Sequence, residues 1–266
     1  MSSDEIAEAA LGADGPAPLK RAIALAFAWP SRRLGTTLAR FDRRTAEVGL
    51  SRAARETLDS LGASVRREGE APRGPAVVVV NHPGAYDALA LMTALGRDDV
   101  LFVAGERAFL RALPNVARHL AFVGGDTVAG VKRALAMIRE GGVVVQFGAG
   151  AIEPDVTFDH GAPLGRWQAG TGLIAARSLA LGARVIPTFV RGVHSPRAKR
   201  LRLVKWAERR GTTTIAPLLQ ATLPGFRDVT VDVRFGPALD LAPASTSETT
   251  ASLRDAVGRL SAPPVV

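Results

Sequence analysis

Short, continuous apolar runs alternate with helical stretches through the middle of this 266-residue chain. The apolar runs lie at residues 76–80, 100–103, 121–123, 143–147 and 185–190, and the helical stretches between them lie at 86–95, 128–139 and 168–181. Continuous runs of valine and isoleucine are typical of strands that are covered on both faces. The pattern therefore predicts an α/β fold, with a central mixed, largely parallel sheet covered by helices on both faces.

The two ends of the chain differ from its middle. Residues 1–18 are small, acidic and interrupted by glycine and proline, which predicts a disordered N-terminus. Residues 19–66 predict an N-terminal extension of two or three helices, and residues 67–266 predict the α/β domain itself. Beyond residue 191 this domain continues with a basic stretch, a helix at 215–223, an alternating strand at 229–235 and a closing helix near 247–260.

The helical extension begins with an apolar segment, residues 19–29, that carries Lys20 and Arg21 at its start. A helix needs about 20 apolar residues to cross a bilayer, so this segment is too short to span one. Its length and its flanking cations suit a helix that lies in the bilayer interface. A helix that simply packs on the domain is the alternative.

Composition excludes several kinds of chemistry. The chain contains no cysteine, so disulfides, thiol nucleophiles and cysteine metal sites are excluded. The net charge is +9, mostly from arginine, which binds phosphate in nucleic acids, lipid headgroups or coenzyme A. A general enrichment in arginine explains the total charge equally well. Only 5% of the residues are aromatic, which gives little means of stacking on bases, so no nucleic-acid partner is expected.

One short motif carries the candidate chemistry. The apolar run at 76–80 continues directly into the sequence NHPGAYD at residues 81–87. On an unbroken helix His82 and Asp87 would point about 140° apart, but Pro83 and Gly84 break that register and allow a turn that brings them together. A carboxylate in the first turn of the next helix is stabilised by the helix dipole. It would fix the histidine tautomer and leave the second ring nitrogen as a base.

At these residues the chain resembles the glycerol-phosphate and lysophospholipid acyltransferases, whose first block is N-H-x-x-x-x-D after a hydrophobic strand. Residues 103–114 resemble the family's next segment, a strand followed by a basic residue and a proline. Phe147 and Gly150 match its third block, residues 185–187 match its V-I-P block, and residues 235–239 match its closing strand. The resemblance covers residues 75–241, which is most of the chain.

The resemblance implies an enzyme that moves a fatty acyl group from acyl-coenzyme A or an acyl carrier protein thioester to a hydroxyl of a lipid-type acceptor. It implies that His82 is the base and Asp87 its partner, and that no cofactor or metal is permanently bound. Backbone N–H groups around residues 148–150 are candidates for stabilising the oxyanion. The expected substrate-binding residues are Asn81, Gly84, Phe147, Gly148, Gly150, Glu153 and Arg166. For Glu153, an acidic loop residue that is merely solvated is the alternative.

Two blocks depart from the family pattern. Where the family has an arginine that binds the acceptor's phosphate, this chain has Gly-Gly-Asp at residues 124–126, and Ala149 and Ile152 replace the glutamate and arginine of the third block. Carboxylates follow shortly afterwards, and they would repel a phosphate. We therefore expect an uncharged acceptor such as a glycolipid. The standard lysophosphatidic acid is the alternative, with Arg166 as the first cation that could hold its phosphate.

A basic stretch at residues 197–210 contains seven arginines and lysines interleaved with apolar residues. We expect it to bind the headgroups of anionic lipid, which predicts a cytoplasmic enzyme that is peripheral on the inner face of the cell membrane. A solvated helix face is the alternative for this stretch.

For the whole chain, the altered blocks leave a catalytically inactive, basic lipid-binding relative as an alternative, although His82 and Asp87 are both present.

Overall fold

The computed structural model describes residues 17–84, 86–124, 127–209, 215–242 and 244–262, and for residues 17–31 it describes the backbone alone. The predictions for residues 1–16, Asp126 and Arg210 lie outside these ranges. The strands are β1 (Ala63–Glu68), β2 (Ala76–Val80), β3 (Val100–Gly105), β4 (Leu120–Val123), β5 (Val143–Phe147), β6 (Arg184–Arg191) and β7 (Val229–Phe235). The α-helices are α1 (Ala17–Val48), α2 (Leu50–Ser60), α3 (Asp87–Leu95), α4 (Ala108–Arg111), α5 (Pro114–Ala117), α6 (Thr127–Arg139), α7 (Ala169–Leu179), α8 (Pro196–Arg200), α9 (Arg202–Glu208), α10 (Ile215–Thr222) and α11 (Thr246–Arg259).

The strands form one sheet in the order β1-β7-β6-β2-β5-β3-β4. β6, β2, β5, β3 and β4 run parallel to one another, whereas β7 pairs antiparallel with β6 and parallel with β1. The predicted mixed, largely parallel sheet is confirmed. β1 is the exception to the predicted elements, because residues 63–66 were expected to be helical. As an edge strand with one neighbour, β1 keeps most of its polar side chains in solvent, so it lacks the apolar run of the other strands.

Helices cover both faces of the sheet, and β2 contributes to both cores. Val78 and Val80 belong to the core formed with α2 and α3, while Val77 and Val79 belong to the core formed with α6, α7 and α11. All four valines are completely buried. Burial of both faces is the reason that the strand is apolar at every position.

The N-terminal helical extension is present as α1 and α2. Phe41 of α1 is buried in the core, and the neighbouring Asp42 accepts hydrogen bonds from the backbone N–H groups of Asn115 and Val116 at 2.8 and 2.9 Å. These contacts fix the second half of α1 to the start of α5. No helix of the described residues is both long enough and apolar enough to cross a membrane. The predicted domain boundary at residue 67 falls inside β1.

The carboxyl ends of β6, β2 and β5 lie side by side because these strands are adjacent and parallel. The segments that follow them, beginning at residues 81, 148 and 192, therefore meet at one edge of the sheet. In open α/β sheets this is the edge at which ligands bind.

Candidate active site

His82 and Asp87 meet at the carboxyl end of β2. The Nδ1 of His82 lies 2.7 Å from the Oδ2 of Asp87, and the backbone N–H of Gly84 donates to the same oxygen at 3.0 Å. Asp87 is the first residue of α3 and is completely buried, whereas the side chain of His82 is 25% exposed. The contact thus joins a buried carboxylate to a partly exposed imidazole.

The imidazole of His82 packs on Phe147, the last residue of β5. The two ring centroids are 4.3 Å apart and their planes are inclined by 33°. Within the described ranges, no hydrogen bond engages the Nε2 of His82. Phe147, which was predicted to bind substrate, therefore lies in the site and supports the ring whose second nitrogen is available.

Glu153 lies directly behind the backbone of His82. Its Oε2 accepts the His82 N–H at 3.0 Å, and its own N–H donates to the His82 carbonyl at 2.7 Å. Its Oε1 accepts the backbone N–H of Gly165 at 2.9 Å and the indole N–H of Trp167 at 3.2 Å. With only 4% of its surface exposed, Glu153 is not a solvated loop residue. Its burial also argues against the predicted contact with acceptor hydroxyls and indicates that the carboxylate fixes the histidine loop.

Two carboxylates influence the charge of His82. Burial lowers the pKa of His82, but the hydrogen bond to Asp87 and the negative charges of Asp87 and Glu153 raise it more, so that the pKa lies above its usual value of 6.5. The imidazolium is the form that these anions stabilise. His82 is therefore a stronger base than a free histidine.

Asn81 and Gly84, both predicted to bind substrate, have structural partners instead. The side-chain amide of Asn81 donates to the carbonyl of Val190 at 2.8 Å and accepts the Val190 N–H at 2.7 Å. Because Asn81 is completely buried, it links the ends of β2 and β6 and cannot face a substrate. Gly84 is also buried, and its N–H is engaged by Asp87.

Gly148 and Gly150 were predicted to bind substrate and to help stabilise an oxyanion. The N–H of Gly148 donates to the Val80 carbonyl at 2.9 Å, and that of Gly150 donates to the Phe147 carbonyl at 3.2 Å. Both N–H groups are thus already engaged, which contradicts their use as oxyanion donors. Gly148 is required for packing, because a Cβ there would come within 2.1 Å of the Trp167 ring. Ala149, between the two glycines, is the remaining candidate donor.

Arg166 is exposed in the loop that follows β5. Its two chain neighbours, Gly165 and Trp167, are both bonded to Glu153. Ile152, which stands at the position of the family's arginine, is 55% exposed. The residues on both sides of Arg166 are therefore tied to Glu153, the residue that supports His82.

Trp167 and His194, two residues of this edge, were not predicted from the sequence, and Asp155 is one of the carboxylates that follow the altered third block. Trp167 fills the space beneath Gly148 and binds Glu153. His194 and Asp155 form a second histidine–aspartate contact. The position of His194 just after a buried parallel strand is the signal that could have identified it. Among the described residues, no three histidine, aspartate or glutamate side chains are grouped as a metal site requires.

Comparisons with known proteins agree with this geometry. Residues 62–191, which run from the beginning of β1 to the end of β6 and include the His82–Asp87 pair, match a family model described as Acyltransferase. One of the matching solved structures is the 1-acyl-sn-glycerophosphate (LPA) acyltransferase PlsC from Thermotoga maritima. It is 17% identical, with a TM-score of 0.51 and 91% of each chain covered, a likeness that shows the fold. No curated protein matches the chain in sequence. Residues 62–191 belong to the acyltransferase family, and the chain is an acyltransferase, as the resemblance implied.

The substitution Glu153→Gln should lower the pKa of His82, because it removes a negative charge that stabilises the imidazolium. The chain has only four histidines, so each ring resonance can be assigned by single substitution and its titration followed by NMR. In the parent we expect His82 to titrate above 6.5. Glu140→Gln, at an exposed glutamate, is the control and should leave the titration unchanged. A pKa of His82 that rises or stays constant in Glu153→Gln would contradict the role given to Glu153.

Proposed function

We propose that this acyltransferase moves a fatty acyl group from the thioester of acyl-coenzyme A or acyl carrier protein to a hydroxyl of a lipid-type acceptor other than the standard lysophosphatidic acid. The observation that carries the proposal is the 2.7 Å contact between the Nδ1 of His82 and the buried Asp87, with the opposite ring nitrogen unengaged by any described residue. An intact pair of this kind also favours an active enzyme over an inactive lipid-binding relative.

The pair supports a direct transfer in a complex of enzyme, thioester and acceptor. The Nε2 of His82 takes the proton of the acceptor hydroxyl as its oxygen attacks the thioester carbonyl. The tetrahedral oxyanion then collapses, the carbon–sulfur bond breaks, and the leaving thiolate receives the proton from the imidazolium. Asp87 balances the imidazolium charge while it exists. A positioned base of this type contributes about 10²–10⁴ in rate.

The charges of the site argue for an acceptor without a phosphate near His82. The carboxylate of Asp87 contacts the imidazole, that of Glu153 contacts the backbone of His82, and the exposed Ile152 offers no charge. A phosphate needs charge-assisted hydrogen bonds worth roughly 1.5–3 kcal/mol each. Because the family's arginines are missing, a neutral hydroxyl of a glycolipid or another non-phosphate lipid suits the site better than an acceptor that carries a phosphate.

A cationic and apolar surface on α8 and α9 supports peripheral binding to a membrane. Among its exposed apolar side chains, Leu203 is 59% and Trp206 is 46% exposed. The cations beside them, Arg200, Arg202 and Lys205, are exposed as well. Peripheral attachment to a membrane has two components. Apolar side chains enter the bilayer interface, and the cations beside them bind anionic headgroups. We propose that this surface and residues 19–29 hold the enzyme on the inner face of the cell membrane.

The variant His82→Ala should lose about 10²–10⁴ of its acyl-transfer rate, because the base is removed. Asp87→Asn should be similarly damaging, because an amide cannot balance the imidazolium. The assay is product formation from labelled acyl-coenzyme A, with the thermal unfolding midpoint measured alongside. His160→Ala, at an exposed histidine, is the matched control. Parent-like turnover by a folded His82→Ala enzyme would exclude His82 as the base.

Lysophosphatidic acid and glycerol 3-phosphate should be poor acceptors compared with an uncharged lipid hydroxyl, because the site lacks the cations that would pair with a phosphate. The measurement is transfer from one labelled acyl-coenzyme A to a panel of acceptors at equal concentration. If lysophosphatidic acid is the best of the panel, another cation must hold its phosphate. Arg166→Ala would then abolish the preference if Arg166 is that cation.

Membrane binding should depend on the cationic surface. Reversal of the charges at Arg200, Arg202 and Lys205 should reduce cosedimentation with vesicles that contain phosphatidylglycerol. In the parent this binding should weaken as salt rises, because exposed charges are screened within about 8–10 Å near physiological ionic strength. The matched control reverses three exposed arginines elsewhere, Arg55, Arg139 and Arg177. If the two triple variants bind the vesicles equally, the cationic surface has no specific role in membrane binding and is an ordinary solvated face.

A further inference from the structure

Asp155 and His194 form a second histidine–aspartate pair beside the first. The Oδ2 of Asp155 lies 3.4 Å from the Nδ1 of His194 and accepts the N–H of Val193 at 2.9 Å. The Oδ1 accepts the N–H groups of Gly192 and Thr157 at 3.0 and 3.1 Å. The carboxylate is completely buried, and only 11% of the His194 side chain is exposed. Asp155 therefore holds the loop that follows β6 through two backbone N–H groups, those of Gly192 and Val193, and through the His194 ring.

The environment keeps Asp155 charged despite its burial. Burial raises the pKa of Asp155, but hydrogen bonds from His194 and from the backbone of Gly192 and Thr157 lower it more, so that the pKa lies below its usual value. An ionised acceptor makes each of these bonds charge-assisted, which roughly doubles the strength of a neutral one. The loop after β6 is thus held rigidly.

The ring of His194 lies beside the turn that carries the first pair. A Cβ built on Gly84 would lie 3.5 Å from the Cε1 and 3.6 Å from the Nε2 of His194, and 3.2 Å from a methyl of Val193. The Cα of Gly84 is therefore separated from the His194 ring and from Val193 by no more than the space that a methyl group would fill, so the turn lies next to the loop after β6. The other side of the ring is bounded by Phe158, which meets it edge-on at a centroid distance of 6.3 Å.

Gly84 connects this contact to the reacting groups. Its N–H donates to the Oδ2 of Asp87, the oxygen that also binds the Nδ1 of His82. A shift of Gly84 would therefore change the geometry of the His82–Asp87 bond. His194 and Gly84 thus lie in order between the carboxylate of Asp155 and the Asp87–His82 pair.

We propose that Asp155 and His194 are positioning residues for acyl transfer, which hold the turn at Gly84 so that Asp87 and His82 stay in their reacting arrangement. This inference rests on the proposed role of His82 as the base. An imidazole at position 194 serves two purposes, since its Nδ1 reaches Asp155 while its ring bounds the space beside Gly84. A misplacement of about 1 Å in a reacting group can cost about 100-fold in rate.

The substitution His194→Ala removes the ring and should lower kcat by up to about 100-fold, with the KM for acyl-coenzyme A unchanged. It should also lower the pKa of His82 measured by NMR, because a loosened Asp87 stabilises the imidazolium less. If His194→Ala acted only by removing a positive charge near His82, the pKa of His82 would rise instead. Simple destabilisation would reduce the amount of folded enzyme without moving the pKa.

His194→Asn is the second variant, because its amide nitrogen can replace Nδ1 in the contact with Asp155 while the ring beside Gly84 is lost. We expect it to fold like the parent and to reproduce both effects of His194→Ala, while the exposed His160→Ala reproduces neither. Parent-like kcat and His82 titration in His194→Asn would overturn the proposal, as would a loss of kcat with an unmoved His82 titration. If His82→Ala keeps its turnover, the proposed base fails, but the titration still reports whether His194 positions the His82–Asp87 pair.

Discussion

The hydrogen bond between the Nδ1 of His82 and the Oδ2 of Asp87 is the interaction on which the whole site depends. It holds the proton on Nδ1 and so leaves Nε2 as the nitrogen that can accept one. The fold supplies both partners from adjoining elements, with the histidine just beyond the buried strand β2 and the aspartate in the first turn of α3. The break between the strand and the helix lets the two side chains meet, which they could not do on one continuous helix.

Buried carboxylates fix the loops around this bond. Asp87 binds the N–H of Gly84, Glu153 binds the N–H of His82, and Asp155 binds the loop after β6. Burial of a carboxylate is costly unless its oxygens are hydrogen-bonded. Backbone N–H groups bind both oxygens of Glu153 and Asp155 and the Oδ2 of Asp87, whose Oδ1 has no partner among the described residues. Two of these carboxylates, Asp87 and Glu153, place negative charge beside the imidazole and raise the pKa of His82. The proposal of an acceptor without a phosphate rests on the same two charges.

The sequence was sufficient for features that depend on near neighbours. The valine runs predicted the central strands, and the N-H-x-x-x-x-D spacing predicted the contact that the structure contains. The roles of Asn81 and Glu153 could not be predicted, because their partners Val190 and His82 are 109 and 71 positions away. A polar side chain beside a catalytic motif looks the same in sequence whether it faces a substrate or joins two strands. Strand β1 was missed for a related reason, since an edge strand needs no apolar pattern.

The most direct test of the His82–Asp87 pair is a double-mutant cycle on acyl transfer. It compares kcat/KM of the parent with those of His82→Ala, Asp87→Asn and the double variant, all checked for folding. If Asp87 acts through His82, its substitution costs nothing further once His82 is gone, and the double variant equals His82→Ala. If the double variant instead loses the product of the two single effects, the two residues act independently and do not form one catalytic unit.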